Sequence, residues 1–310
     1  MDRVQCNNCG ANETVLLTKS KNVGTSRQKE LSIVVCKECG LAYLNPQPTE
    51  EMYTAFYRTY GRKNRGVESL IKEKEDQRGY IGRIAPHVRK DNRILDMGCG
   101  KGIFLHFLKE AGYTDVRGIE LSEDEIVFAK STFGVEVDYA TIESYAGRKF
   151  DFISLIALIE HFKNPRASVA AARDALADDG LLFISTPNVK KMVLRKGIDQ
   201  YFKFVHTYYF SLTTLTSIIQ QAGFEIVFAE ETPVRLNKSF LHPRDYTDSD
   251  LLVLARKTNT PGSVLKERPE TLLQALAEAK RRDLLPSLVS RLDQIKGFGA
   301  LFRLLRSAFP

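Results

Sequence analysis

A chain of 310 residues, 43% apolar and 27% charged, has the make-up of a folded protein with one large domain and appendages, or with two domains. Its longest apolar-rich run, residues 152–159, falls far short of the roughly 20 residues a bilayer-spanning helix needs, and the opening MDRVQCNNCG does not read as a secretion signal, so a cytoplasmic protein is expected. The net charge of +7 sits in the flanks, residues 1–48, 49–90, 91–257 and 258–310 carrying +2, +4, −3 and +4, which argues against a nucleic-acid groove on the central segment.

Four of the five cysteines form two pairs near the start, Cys6-Asn-Asn-Cys9-Gly10 and Cys36-Lys-Glu-Cys39-Gly40, separated by 26 residues. Two such knuckles predict a zinc ribbon over residues 1–48, with Cys6, Cys9, Cys36 and Cys39 placed tetrahedrally around one Zn²⁺. The glycine after each pair permits the tight turn that aims backbone amides at sulfur. Four-cysteine sites are closed to further ligands, so this metal is expected to be structural.

Asn45-Pro46-Gln47-Pro48 marks the exit from the ribbon, and Thr49, followed by Glu50 and Glu51, a helix start. Residues 49–90 read as a helical linker or lid, with Tyr53, Phe56, Tyr57 and Tyr60 at helical spacing and a further helix running to about His87. From Asn92 short apolar runs alternate with amphipathic segments, the pattern of a parallel sheet covered on both faces. Strands are predicted at 92–97, 115–120, 135–138, 150–156 and 180–186, and helices at 101–111, 122–132, 164–177 and 211–222. Two more runs, about 224–231 and 250–256, predict a terminal antiparallel hairpin. The fold class is therefore α/β: a doubly wound, Rossmann-like sheet over 91–257, with the small ribbon before it and a tail, 258–310, after it.

The segment Arg93-Ile-Leu-Asp96-Met-Gly98-Cys-Gly100-Lys-Gly102 is a strand ending in a carboxylate, then a glycine-rich turn, then a helix. Glu120 ends the next strand, 18 residues past Gly102, where a carboxylate can accept both hydroxyls of a ribose. A dinucleotide and an adenosyl cofactor both satisfy this much. The Gly-x-Gly-x-Gly spacing departs from a pyrophosphate-binding turn, and Asp96 disfavours a polyphosphate while suiting the cationic methionyl end of S-adenosylmethionine.

On these residues the chain resembles the class I S-adenosylmethionine-dependent methyltransferases over about residues 92–257. The likeness extends to Glu160-His161-Phe-Lys-Asn-Pro165 after the fourth strand and Leu182-Phe-Ile-Ser-Thr-Pro-Asn188 on the fifth. It is completed by His206-Thr-Tyr-Tyr-Phe-Ser211 before a helix ending Gln221-Ala-Gly-Phe224, and is most similar to the branch that modifies quinones, sugars and other small metabolites. The resemblance implies that Asp96, Gly98, Gly100 and Gly102 contact the methionyl end and backbone of the cofactor and Glu120 its ribose. It implies that Thr141 and Ile142 border the adenine. The third strand matches least, because Asp138 lies early and Glu143 late for the acid expected there.

Methyl transfer is an in-line displacement in which the enzyme supplies orientation and, where the nucleophile carries a proton, a base. Of five histidines, His161 and His206 fall beyond the carboxyl ends of the fourth and fifth strands, where open α/β sheets place their sites. Either is a candidate base, with Tyr208 a third candidate catalytic residue; a turn residue that only stabilises the fold is the plainer reading of each. Lys190, Lys191, Arg195, Lys196 and Lys203 face one acid, Asp199, in the insertion after the fifth strand. That cluster predicts an anionic small-molecule acceptor, such as a sugar nucleotide or saccharide precursor, methylated on oxygen or carbon. A zinc-ribbon RNA methyltransferase, or a nucleic-acid or protein adaptor on a vestigial fold, is the alternative. In the tail Leu288, Leu292, Ile295, Phe298, Phe302, Leu305 and Phe309 recur at three and four residues among basic ones. This amphipathic pattern suits peripheral membrane contact, a second subunit, or docking on the protein itself.

Overall fold

In a computed structural model of the chain, residues 2–20, 31–53, 66–145, 147–190, 205–232, 250–258, 260–275, 277 and 278 are described. Near the start lie β1 (Thr14–Ser20), β2 (Leu31–Cys36) and β3 (Ala42–Leu44), followed by helices α1 (Val67–Glu73) and α2 (Glu75–Ile84). Strands and helices then alternate: β4 (Arg93–Met97), α3 (Ile103–Glu110), β5 (Asp115–Glu120), α4 (Glu123–Phe133), β6 (Glu136–Tyr139), β7 (Phe150–Ile156), α5 (Pro165–Ala175) and β8 (Leu176–Pro187). After them come β9 (Tyr208–Tyr209), α6 (Leu212–Gln221), β10 (Phe224–Glu231) and β11 (Asp250–Lys257).

Seven strands form one sheet in the order β10-β11-β8-β7-β4-β5-β6. Pairs among β4, β5, β6, β7 and β8 are parallel, while β11 runs antiparallel to β8 and to β10. The doubly wound sheet and its terminal hairpin are therefore as the apolar runs predict. The order reverses beside β4: β5 lies on one flank and β7 on the other, so the connections diverge and open a crevice at the carboxyl ends of these strands.

Each face of a parallel strand is buried, and successive residues serve opposite layers. Leu95, Ile153, Leu182 and Val253 pack with α5 and α6, while Ile94, Phe152, Phe183 and Leu254 pack with α2 and α3. From residues 67–84, Leu70, Tyr80, Ile81 and Ile84 pack in the same buried cluster as Ile94, Phe104 and Phe152. Tyr80 is buried against Phe183, receives a hydrogen bond from Ser185 (3.2 Å) and donates one to Asp250 (2.7 Å). Of the predicted aromatic stripe, Phe56, Tyr57 and Tyr60 lie outside the described residues.

The fifth parallel strand starts four residues before its predicted bound. Its register against β7 jumps between Phe150 and Phe152, and Asp179 takes a positive φ of 61°. This irregularity admits the polar stretch Ala177-Asp-Asp-Gly180 into a strand that its composition disguises.

A second, antiparallel sheet has the order β1-β2-β3-β9, so its fourth strand comes from far along the chain. The cysteine-bearing segment shares the larger domain's core: Cys6, Cys36, Cys39, Leu41 and Tyr43 pack in one cluster with α5 and α6. Polar contacts fix the join. The Asn7 carboxamide accepts from the Arg166 amide at the start of α5, and Asn8 Oδ1 accepts from Ser217 Oγ (2.8 Å) and Gln221 Nε2 (2.6 Å) on α6. The first part of the tail continues the join, with Gly262 bonded to Gln220, Leu265 to Ser217 and Glu267 to Cys39. Leu272 is buried beside the ribbon strands. Residues 279–310, with the predicted amphipathic run, lie outside the described residues. No described helix is long and apolar enough to cross a membrane.

Asn8 is fully buried. Asn8→Ala is expected to leave the Ser217 hydroxyl without its acceptor and the Gln221 amide without its shortest bond, and to lower the unfolding free energy by about 1–3 kcal/mol in a urea titration.

Candidate active site

Beyond the carboxyl end of β4 the chain turns through Gly98, Gly100 and Gly102, all at positive φ (63°, 53° and 73°). Only glycine adopts these angles without strain, and two of the three positions also lack room for a side chain. A Cβ on Gly98 would meet Leu158 at 2.7 Å, and one on Gly102 would meet Ala129 and Val135 at 2.9 Å. Gly102 caps α3, whose amides point back into the turn.

Asp96 is 2% exposed. Its Oδ1 accepts from the Ser154 hydroxyl at 2.6 Å, across the β4–β7 pair. One neutral donor does not offset the removal of a carboxylate from water. Burial, opposed by that hydrogen bond and assisted by the Glu120 charge, pushes Asp96 up to about 7. A buried anion so placed at the crevice fits a ligand that carries a cation.

Glu120 stands at the end of β5, partly exposed. Its Oε1 accepts from the amides of Leu121 (2.8 Å) and Ser122 (3.0 Å), and its Oε2 from Gly100 (3.0 Å). These bonds fix the carboxylate and leave Oε2 a lone pair for a ligand hydroxyl. Farther along the edge, Ile142 is buried and Thr141 exposed at a short 3₁₀ turn, with the Tyr139 side chain exposed just before it. The Tyr145 hydroxyl bonds to Asp138, so that acid is turned to a structural task, and Glu143 is exposed.

His161 and His206 come together beyond β7 and β8, with ring centroids 4.8 Å apart and planes at 87°. His161 Nδ1 lies 2.9 Å from the Val205 carbonyl. A carbonyl only accepts, so Nδ1 carries the proton and Nε2 is the basic nitrogen of the neutral ring. Glu160, 3% exposed, sits beside them, its Oε2 accepting from Thr186 Oγ1 (2.9 Å) and its Oε1 3.9 Å from His161 Nε2. Ligand atoms of Glu160, His161 and His206 all lie within 4.8 Å of one another. Sequence reasoning passed over Glu160 and Ser154; the signal for each was a polar residue set into or beside an apolar strand run.

Tyr208 is placed elsewhere. Its ring is buried against Tyr43 and Phe210, and its hydroxyl receives from Gln47 (3.1 Å) and donates to the Lys163 carbonyl (3.2 Å). Burial pushes it up to about 12, so it holds its proton and serves the ribbon interface rather than the reacting centre. Lys190 is ion-paired with Glu267. The rest of the predicted basic cluster, Lys191, Arg195, Lys196 and Lys203, lies outside the described residues. His106, on α3, stacks on Phe133.

The four cysteines converge as their spacing predicts. Their sulfurs lie within 4.8 Å of one another, Cys6 to Cys39 at 3.4 Å and Cys9 to Cys36 at 3.5 Å, all as free thiols. Gly10 and Gly40 take the positive φ that each knuckle needs (77° and 75°), and their amides bond back to the carbonyls of Cys6 and Cys36. Hydrogen bonds from Cys39 and Cys6 push the Cys36 thiol well below its ordinary range.

A family described as "Methyltransferase domain" matches residues 72–228. The ubiquinone biosynthesis O-methyltransferase of Azoarcus sp. is 28% identical over 188 residues, 53% of this chain and 78% of that protein. The protein of the same name from Aromatoleum aromaticum is 31% identical over 156 residues, 43% of this chain and 64% of that one. Others of that name are matched over as little as 45% of their length, so the chain spans only part of these relatives. Among solved structures, magnesium protoporphyrin IX methyltransferase from Synechocystis superposes with a TM-score of 0.48 at 16% identity, over 67% of this chain and 95% of that one. An S-adenosylmethionine-dependent methyltransferase from Mesorhizobium loti gives 0.46 at 22% identity, over 57% and 96%.

Folding raises the Asp96 pKa, so this group favours the ligand-free fold fully below the ordinary carboxylate pKa, and that contribution is lost as pH climbs through about 7. Asp96→Asn is therefore expected to raise the melting temperature of the ligand-free protein at alkaline pH and to leave it nearly unchanged at acid pH, as read by differential scanning calorimetry.

Proposed function

The chain belongs to the methyltransferase-domain family, and from that membership we propose that it transfers the methyl group of S-adenosylmethionine to a hydroxyl oxygen of a small molecule. The observation that carries the choice of acceptor atom is the His161–His206 pair with Glu160 beside it: a hydroxyl nucleophile must lose a proton, and a carbanion-like or amine acceptor makes less use of such a group. The names of the relatives, all O-methyltransferases, support the same atom. An anionic saccharide acceptor has less support, since Lys190 is already ion-paired with Glu267.

In this reading S-adenosylmethionine, when bound, supplies an electrophilic sulfonium methyl. Asp96 receives the methionyl ammonium, whose charge compensates the buried carboxylate. Gly98, Gly100 and Gly102 let the backbone take the positive-φ turn that presents the cofactor-binding loop. Glu120 accepts the ribose hydroxyls, with the Gly100 amide sharing Oε2. Thr141 and Ile142 border the adenine. His161 Nε2, or His206 beside it, would take the acceptor proton as the O–CH3 bond forms and the S–CH3 bond breaks, the neutral thioether S-adenosylhomocysteine leaving; Glu160 would stabilise the imidazolium that results. Cys6, Cys9, Cys36 and Cys39 hold one Zn²⁺, a charge that compensates thiolates crowded together at a buried join.

Methyl-labelled S-adenosylmethionine incubated with the protein and fractionated extract tests the proposal, the expected product being a methyl ether. His161→Gln and His206→Gln are each expected to lower turnover by roughly 100-fold without weakening cofactor binding. Label on carbon or nitrogen, or normal rates in both variants, would contradict the assignment. Elemental analysis is expected to find one zinc per chain, lost on replacing Cys36 and Cys39 with serine.

A further inference from the structure

We infer that the cysteine-bearing segment is a positioning element of the active site: the sheet β1-β2-β3-β9, tied to the four cysteines through Cys36 and the turn after it, fixes His206 against His161. The inference rests on the reading of those histidines as the proton-accepting pair. It goes beyond that reading in giving the ribbon a task in the chemistry.

The link runs through one residue. Thr207, which follows His206, is fully buried, and both of its backbone groups are engaged. Its carbonyl accepts from the Leu44 amide of β3 at 3.0 Å, and its amide donates to the Glu160 carbonyl at 2.8 Å. The peptide units flanking Thr207 are thus suspended between the ribbon and the Glu160–His161 turn. Its side chain adds a third tie, Thr207 Oγ1 lying 2.6 Å from the Tyr53 hydroxyl. Beyond it β9 pairs with β3, Tyr208 opposite Tyr43 and Tyr209 opposite Ala42, and Gln47 donates to the Tyr208 hydroxyl at 3.1 Å.

The other end of the link is the second cysteine knuckle. β3 has three residues, too few to hold a place unaided, and its register against β2 is set by the turn that joins them. That turn is Cys36–Leu41, closed by bonds from the Cys36 amide to Leu41 and from the Gly40 amide to Cys36. Whatever holds Cys36 and Cys39 with Cys6 and Cys9 therefore holds β3, and through Leu44 and Thr207 it holds His206. Asp96 and Glu120 stand on β4 and β5 and take no part in this chain of contacts. Loosening the ribbon should displace His206 and spare the cofactor site.

The test uses the full chain in its metal-loaded form, with Thr207→Val and Tyr53→Phe, which break the side-chain tie and touch neither cysteine nor histidine. Histidine ring resonances are followed by NMR across pH, and S-adenosylmethionine affinity by calorimetry. The expected result is a shift in the His206 resonance and in its titration midpoint, with cofactor affinity and zinc content unchanged. A His206 titration identical to wild type in both variants overturns the inference. A second measurement stands if the variants fold poorly: amide hydrogen exchange on wild type before and after chelation. Faster exchange at 205–210, with 93–97 and 115–120 as protected as before, is expected. Unaltered exchange at 205–210, or an equal rise at 93–97 and 115–120, overturns it. None of these readouts requires turnover, so they separate this inference from the choice of acceptor.

Discussion

The interaction on which the rest of the structure turns is the burial of one carboxylate, Asp96, at the carboxyl end of the central strand. Placed between β5 and β7, it is sealed from water and met by a single hydroxyl, that of Ser154. An anion in that position is under-compensated by its own fold, and the deficit is what a cationic ligand can supply. The surrounding residues shape the turn beside it. Gly98 and Gly102 take positive φ where Leu158, Ala129 and Val135 would leave no room for a Cβ, and Glu120 is locked by three amides, two on Oε1 and one on Oε2. The same sheet edge brings the histidine pair to the neighbouring strands, so in the proposed function cofactor and acceptor would share one crevice.

The ribbon changes character once its place is seen. A small cysteine-stapled segment ahead of an α/β domain invites description as a separate module. Here its sheet takes a strand from the larger domain, its sulfurs lie in that domain's core, and the first stretch of the tail straps over both. Among the described residues, the cysteine cluster has a short covalent and hydrogen-bonded route to His206, through Leu44 and Thr207.

Most of the larger sheet was legible because parallel strands buried on both faces appear as unbroken apolar runs, and β4, β5, β7 and β11 fell within a residue or two of their predicted bounds. The glycine turn and the cysteine knuckles were legible because their chemistry fixes residue type at fixed spacing. What escaped was long-range. A two-residue strand such as β9 has no periodicity to detect, and its partner β3 lies more than 160 residues away. For that reason Tyr208 looked like a catalytic neighbour of His206, whereas alternation along β9 turns it into the ribbon interface. The start of β8 was hidden by Asp178 and Asp179, which a bulge accommodates. Glu160 and Ser154 were on view in the sequence, but only the folded sheet shows that Thr186 and Asp96 face them.

The proposed role of Asp96, to receive a cationic methionyl group, is tested most directly by calorimetric titration of S-adenosylmethionine at a series of pH values. A carboxyl held up at about 7 must lose its proton to bind a cation, so one site per chain is predicted, its affinity falling and its proton release growing as pH drops through that value. Asp96→Asn should weaken binding and abolish the pH dependence. Tight binding that is indifferent both to pH and to this substitution would contradict the account.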